Sequence, residues 1–443
     1  MNDSSYQEAI NYLYSLTQSG IKLGLKNTAR LLQYFDNPQL KTRTIHISGT
    51  NGKGSTAAIT ESILRTSGYR VGLYTSPHLL DFRERIQINR RMITKQRTFE
   101  LITQIKSAVE KLEIPITFFE FGTVLAFLYF NEQNTDINVI EVGLGGRLDA
   151  TNLCHAEISI ITSISRDHTQ YLGDDLKQIA FEKASIIKES GTVFAHVPEE
   201  ELFEVVNTLS QKHSADLYRL GVDIKIDSKT EQKGKNRFDF KWGSRVLNDL
   251  TLPLDGSYQR ANAGLALSAC LKLKENGLKI EDKHLREGLE RVCWEGRLET
   301  VASDPTVILD CAHNEESVRN MTRELRENFK FTRCFFVLGL MQDKNIDEVI
   351  RILSQLGDHF SLVPVNPPRG EDPEKLAKKL ESYGKPSQIF ETVSNALQAV
   401  KTIASQNDLI CITGSIFLVA TAKKCFNDEN TFFNSGNTPH SNE

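Results

Sequence analysis

The sequence lacks any apolar stretch of the ~20 residues that a membrane-spanning helix requires; the longest runs, around residues 121–130 and 410–422, fall short. It opens on a polar segment, Met1 to Glu8, with no hydrophobic core behind it. No secretory signal is therefore expected, and the expected location is the cytoplasm, with no membrane partner. An excess of charge of one sign is missing too. Lys and Arg number 53 against 57 Asp and Glu, a net charge of −4 with a pI near 6.3, which offers no electrostatic footprint for nucleic acid. There is no Cys-x-x-Cys pair. The seven cysteines (Cys154, Cys270, Cys293, Cys311, Cys334, Cys411 and Cys425) are scattered and odd in number. They read as small buried apolar side chains in a reducing compartment, not as a disulfide frame or zinc site. The dinucleotide fingerprint G-x-G-x-x-G is absent as well, because the run of Gly143, Gly145 and Gly146 does not meet it. No internal repeat or low-complexity tract interrupts the chain.

What is present is a soluble globular composition, 40% hydrophobic and 25% charged, and 443 residues, too many for one ordinary core. The most informative segment is Thr44-Ile-His-Ile-Ser-Gly-Thr-Asn-Gly-Lys-Gly-Ser-Thr56. A β-rich run empties into a turn built from Gly49, Gly52 and Gly54, and a helical pattern follows. Such a junction is either a glycine-rich βα turn with no ligand or, the reading three glycines with a lysine and a hydroxyl favour, a phosphate cradle whose backbone N–H groups point inward and whose helix dipole favours negative charge. Lys53 would neutralise terminal phosphates and Ser55 would reach a Mg²⁺. The spacing departs from the usual P-loop, because Gly54 separates the lysine from the hydroxyl.

Periodicity predicts strands at 44–48, 71–74, 138–142, 158–164 and 192–196, with helices between them at 55–66, 99–111, 123–131 and 176–188. That alternation means an α/β fold: a mostly parallel sheet with helices on both faces and a ligand at the carboxyl ends of the strands. Residues 221–250 alternate weakly, as a small antiparallel addition would, and helices resume at 259–275 and 281–291. A second, smaller Rossmann-like α/β series follows, with strands at 307–310, 334–339, 360–365 and 409–413. The expected division is a nucleotide-binding domain at 1–295, a second α/β domain at 296–426, and a frayed tail at 427–443.

Polar residues concentrate where strands end. Ser76 follows a strand and could reach a metal, or it simply makes a Ser-Pro turn. Glu141 ends an apolar strand, where a buried carboxylate is costly without a cation. His168 lies past another strand end. Lys183 shares a helical stripe with Ile179 and Ile187, a spacing that on its own favours snorkelling to the surface. In Asp310-Cys-Ala-His-Asn314, Asp310 could accept from a ribose hydroxyl or nucleotide amine, with His313 and Asn314 beside it, or Asn314 is merely a helix cap. Arg297 could reach phosphates across an interdomain cleft.

Taken in order, Gly49-Thr-Asn-Gly-Lys-Gly-Ser, Thr75-Ser-Pro-His-Leu, Phe119-Glu-Phe-Gly, Glu141-Val-Gly-Leu-Gly-Gly-Arg-Leu-Asp-Ala-Thr-Asn, Asp167-His-Thr, Glu182-Lys-Ala, Gly296-Arg and Asp310-Cys-Ala-His-Asn closely resemble the folylpolyglutamate synthase/dihydrofolate synthase family of the Mur ligase superfamily. The resemblance implies a cytoplasmic ATP- and Mg²⁺-dependent ligase that adds L-glutamate to dihydropteroate, to reduced folates, or to both, through an acyl phosphate. It implies that Thr50, Asn51, Gly52, Lys53, Gly54 and Ser55 bind ATP together with Asn262, Arg297 and Asp310. It places Ser55, Ser76, Glu141 and His168 on two Mg²⁺ sites and makes Lys183 a carbamylated lysine beside the second. The pterin side would be lined by Lys22, Leu23, Gly24, Phe119, Glu120, Phe121, Leu148, Asp149 and Ala150. Lys22 departs from the family pattern. Lys53, Lys183 and His313 would be catalytic, His313 by positioning glutamate, and a monomer is expected. The rival readings are a cell-wall Mur ligase and a non-catalytic ATP-binding module.

Overall fold

The computed structural model describes residues 3–20, 22–229, 236–365 and 369–428; the tail reading beyond 428 lies outside them. The first sheet has eight strands: Arg43–Ser48 (β1), Val71–Tyr74 (β2), Ile86–Ile88 (β3), Arg91–Met92 (β4), Ile137–Glu141 (β5), Ile158–Ile161 (β6), Thr192–Ala195 (β7) and Asp216–Arg219 (β8). Their order is β4-β3-β2-β5-β1-β6-β7-β8. Six strands run parallel, and β3 and β4 close one edge antiparallel. The strand order reverses about β1, with β5 on one side and β6 on the other. This is the switch point where parallel sheets of this kind open a crevice. Register makes the crevice specific. Ile47 lies opposite Glu141 and Ser48 opposite Ile161, so three strand ends finish level with one another.

Both faces of this sheet are covered. Ile45 and Ile47 pack into a core with helices Lys53–Thr66 and Tyr258–Glu275. The opposite face is covered by helices Lys95–Leu112 and Phe118–Glu132. The 221–250 segment forms an antiparallel sheet of Ile224–Ser228 (β9), Asn236–Trp242 (β10) and Arg245–Leu252 (β11), whose Phe238, Phe240 and Leu252 join the first core.

The second sheet comprises Glu299–Ser303 (β12), Thr306–Leu309 (β13), Cys334–Leu338 (β14), His359–Leu362 (β15), Ser387–Ile389 (β16) and Leu409–Thr413 (β17). The order is β12-β13-β17-β14-β15-β16, parallel except for β12. Helices again lie on both faces.

Three expected elements end three or more residues short of the pattern, among them the strand expected to reach 365, which stops at Leu362. The strand expected to reach residue 164 stops at Ile161, because Thr162 and Ser163 turn to hydrogen-bond the phosphate loop. The helix expected to reach 188 stops at Ala184. The apolar run at 410–422 is divided between β17 and helix Ile416–Asp428, and no described helix is long and apolar enough to cross a membrane. Five cysteines are buried as expected, but Cys293 is exposed, in the segment joining the two sheets.

Candidate active site

β1 hands the chain to the phosphate loop, and the helix begins at Lys53, two residues earlier than periodicity suggests. Gly52 caps it at φ 89°, a backbone open to glycine and strained for other residues. A side chain there would also collide with Asn262, whose Oδ1 lies 2.4 Å from the place of a Cβ. Thr50 and Asn51 are laced to the loop after β6. Thr50 N–H donates to Ser163 O, Asn51 N–H donates to Ser163 Oγ, and Thr162 Oγ1 donates to Asn51 O at 2.6 Å. Lys53 Nζ folds back onto the carbonyls of Gly49 and Thr50, both at 3.0 Å. Its enclosure lowers its pKa, against the pull of Glu141 and Asp167. Gly54, the residue that breaks the usual spacing, lies under Trp294, and a Cβ there would meet the indole at 2.8 Å. The unusual glycine thus makes room for the segment that joins the two sheets.

Glu141 is buried at the end of β5 and accepts from Ser76 N–H at 3.0 Å. Burial raises its pKa, while Lys53 and the Ser76 N–H pull it down. A divalent cation fits such a carboxylate. Among the described residues no three His, Cys, Asp or Glu side chains converge to hold a metal alone. That suits Mg²⁺, which takes one or two carboxylates and completes its shell with phosphate oxygens and water. Ser55 is buried at the loop's end. His168, at φ 51°, opens a short helix. Burial holds its pKa down to about 4, so the ring is neutral and able to donate a lone pair.

Lys183 does not snorkel. It is 4% exposed on the stripe with Ile179 and Ile187, and burial, then the Lys53 charge, brings its pKa down to about 7.

From the second sheet, Asp310 follows β13 and is buried, accepting from the N–H groups of Leu298 and Ala312, both at 2.8 Å. Burial raises its pKa and Arg297 opposes that. Arg297 and Glu141 line one cavity of about 110 Å³ between the two sheets, and Gly54 and Ser76 line it too. Asn314 does cap the helix Glu315–Asn328, as the bland reading allowed. Its amide also exchanges hydrogen bonds with Asn51 of the phosphate loop, at 3.3 and 3.1 Å.

Three residues of this crevice were given no role from the sequence, although Asp167 stands in the Asp167-His-Thr motif. Asp167 accepts from Lys344 Nζ at 2.5 Å and from Asn314 Nδ2 at 3.0 Å, with His313 Nε2 at 3.4 Å. Burial alone would raise its pKa, but His313, His168 and Lys344 outweigh it and hold the carboxyl far below its usual range. Glu316 accepts from Asn51 Nδ2 at 2.6 Å and Ser165 Oγ at 2.7 Å. Lys344 follows a strand end, a signal that could have found it. Glu316 gave none, since an acid in a first helical turn reads as a dipole partner.

The residues that the resemblance assigns to a pterin side separate. Lys22 and Leu23 are exposed and Gly24 is half-buried. Phe119 packs against the turn at Gly143, where a Cβ would meet its ring at 2.4 Å. Phe121 is instead sealed in the core, edge-on to Tyr12, so its side chain offers no ligand surface. The Glu120 carboxylate is spent on Thr28 and on the capping box with Thr117. Leu148 is half-buried and Ala150 buried. The Asp149 carboxylate, also buried, is occupied by Leu144 N–H and by both donors of Thr151.

A phosphate loop, a buried acid level with it and a second sheet docked on both define a nucleotide-using ligase of the Mur type. Residues 47–270 match the Mur ligase middle domain and residues 296–416 the Mur ligase glutamate ligase domain. The dihydrofolate synthase/folylpolyglutamate synthase of Bacillus subtilis is 34% identical over 429 residues, 95% of this chain and 99% of that protein. The structure of Escherichia coli FolC in complex with DHPP and ADP superimposes with a TM-score of 0.87 at 31% identity, covering 95% of this chain and 98% of that one. A bifunctional folylpolyglutamate synthase/dihydrofolate synthase with Mn, AMPPNP and L-glutamate bound gives 0.83 at 30% identity, covering 95% and 98%. The chain belongs to the dihydrofolate synthase/folylpolyglutamate synthase family of Mur ligases.

Proposed function

We infer that the chain is an ATP-dependent ligase that joins L-glutamate to a folate-type acid through an amide bond. Family membership supports this activity. The observation that carries it is the convergence of Gly54 from the phosphate loop, Glu141 with Ser76, and Arg297 on one cavity between the two sheets. In this reading residues 1–295 hold the nucleotide and the acid, and residues 296–426 complete the site and bring glutamate. Thr50 through Ser55 cradle the triphosphate, with Asn262, Arg297 and Asp310 completing the nucleotide site. Ser55, Ser76, Glu141 and His168 would hold Mg²⁺ at two sites, where it would supply charge neutralisation for the phosphate oxygens. Lys183 would carry a carbamate. Burial brings its pKa down to about 7, which makes the neutral amine, nucleophilic toward CO₂, accessible near neutral pH.

The chemistry follows from charge. A carboxylate oxygen of the folate acid attacks the γ-phosphorus, ADP leaves, and an acyl phosphate forms. The glutamate amine then attacks the activated carbonyl, phosphate leaves with the carboxylate oxygen, and the amine proton departs. Lys53 and Arg297 offset the repulsion between two anions, and the closed crevice limits hydrolysis of the acyl phosphate. His313 orients the incoming amine. The acid's ring system lies along Lys22, Leu23, Gly24, Phe119 and Leu148, while Glu120, Phe121, Asp149 and Ala150 shape the wall behind them. A cytoplasmic monomer using dihydropteroate, reduced folates or both fits this reading.

The test is a substrate panel. Purified protein with ATP, Mg²⁺ and glutamate should release ADP and phosphate only when dihydropteroate or a tetrahydrofolate is added. Turnover with a sugar-linked cell-wall precursor and none with pterins would overturn the folate assignment.

A further inference from the structure

β1 presents its side chains to alternate faces. Ile45 and Ile47 enter the core under the phosphate-loop helix, whereas His46 and Ser48 turn the other way. Both of these polar residues reach one segment, the glycine-rich turn that follows Glu141. Ser48 Oγ donates to Gly145 O at 2.8 Å, and His46 Nε2 lies 2.8 Å from Thr151 Oγ1. Thr151 Oγ1 lies in turn 2.5 Å from Asp149 Oδ1.

The direction of this chain is fixed by donor chemistry. Burial raises the Asp149 pKa, but both of its oxygens accept, Oδ2 from Leu144 N–H and Oδ1 from Thr151 N–H, an arrangement that favours the ionised, acceptor-only form. Thr151 has one hydroxyl proton and gives it to Asp149, so Thr151 must accept from His46. The His46 proton therefore sits on Nε2. Nδ1 is left buried without a hydrogen-bond partner, and the residue is 0% exposed. Burial, and after it the Lys188 charge, keeps the ring neutral. An apolar side chain of similar size would fill the place with no unsatisfied nitrogen, so packing alone does not account for a histidine here.

We propose that His46 is a positioning residue of the ligase: through Thr151 it fixes the Asp149 carboxylate, and with it the turn that faces Phe119, in register with the phosphate loop leaving the same strand. The two reacting partners are then held from one strand, the phosphate by residues 49–55 and the folate acid by the turn at 143–149. Loss of that register loosens the hold on the folate acid and leaves the grip of residues 49–55 on the phosphate in place. The inference rests on the folate-ligase reading.

Two measurements test it on the full-length protein. Long-range ¹H–¹⁵N correlation should show His46 protonated at Nε2 and bare at Nδ1 between pH 8 and 6. An Nδ1–H ring would overturn the relay whatever the enzyme's substrate. In kinetics, Thr151→Val and His46→Leu should raise KM for the folate acid on the order of tenfold, the cost of one positioning hydrogen bond, and leave the KM for ATP within about twofold. Thr151→Ser should restore the parent value. Unchanged folate KM in a folded Thr151→Val variant, or equal loss for both substrates, would overturn the proposal. If the parent enzyme turns over no folate acid, the functional reading fails and the tautomer result still stands by itself.

Discussion

A lysine that is 4% exposed is a poor place for a positive charge, and that fact governs Lys183. Unfolded, it binds a proton up to its ordinary value of 10.5; folded, only up to about 7. Between those pH values the unfolded state holds the extra proton, so this residue makes stability rise with pH. At pH 7 the unmodified lysine costs a few kcal/mol on the scale of 1.36 kcal/mol per unit. Lys183→Met should therefore raise the melting temperature in CO₂-free buffer at pH 7 while abolishing turnover. A lower melting temperature would contradict the assignment. For the carbamate itself, ¹³CO₂ labelling should show a carbamate resonance at pH 8 that fades toward pH 6. Lys53→Ala should lose at least about a hundredfold in kcat with its thermal transition retained; unimpaired turnover would remove the nucleotide assignment. At this scale the sequence was half legible. Lys53 and Glu141 announced themselves by motif and by an acid closing an apolar strand. The stripe at 179, 183 and 187 could not say whether a lysine lies in or out, because helical spacing fixes the face and not the depth.

At the scale of elements, glycines govern the approach of one segment to another. Gly146 meets the helix that carries Lys183, and a Cβ there would lie 2.6 Å from Glu182 O and 3.0 Å from Lys183 O. Those are backbone atoms that cannot rotate away. Gly146→Ala should destabilise by about 1–3 kcal/mol, as overpacking does, and reduce activity by shifting Lys183. A wild-type denaturation midpoint would show that the helix yields freely. Long apolar strands such as β1, β5, β14 and β17 were legible within a residue or two, since buried parallel strands read as continuous Val/Ile/Leu runs. The β3–β4 hairpin was not, being two and three residues per strand. The helix Glu200–Lys212 also escaped, although its buried Leu202, Val206 and Leu209 keep helical spacing.

At the scale of the molecule, the crevice is closed by polar contacts between parts of the chain far apart in sequence. Lys344 and Asp167 are 6% and 9% exposed at their side chains, and Asn314 joins Asp167 to Asn51. Lys344→Met should weaken this docking, by less than the ~3–5 kcal/mol of a buried pair broken outright, because Asn314 and His313 still face Asp167. The expected outcome is faster proteolysis between the two sheets and a lower kcat at unchanged ATP affinity; protease resistance equal to the parent would count against a docking role. Sequence order alone pointed to two α/β units but not to these pairs, which depend on how one sheet meets the other.

The central claim is that ATP energises a carboxylate within this crevice before the amine arrives, and oxygen isotopes test it most directly. With a folate acid carrying ¹⁸O in its reacting carboxylate, one ¹⁸O should appear in the released phosphate for each amide formed. Phosphate free of ¹⁸O, with amide still made, would contradict it.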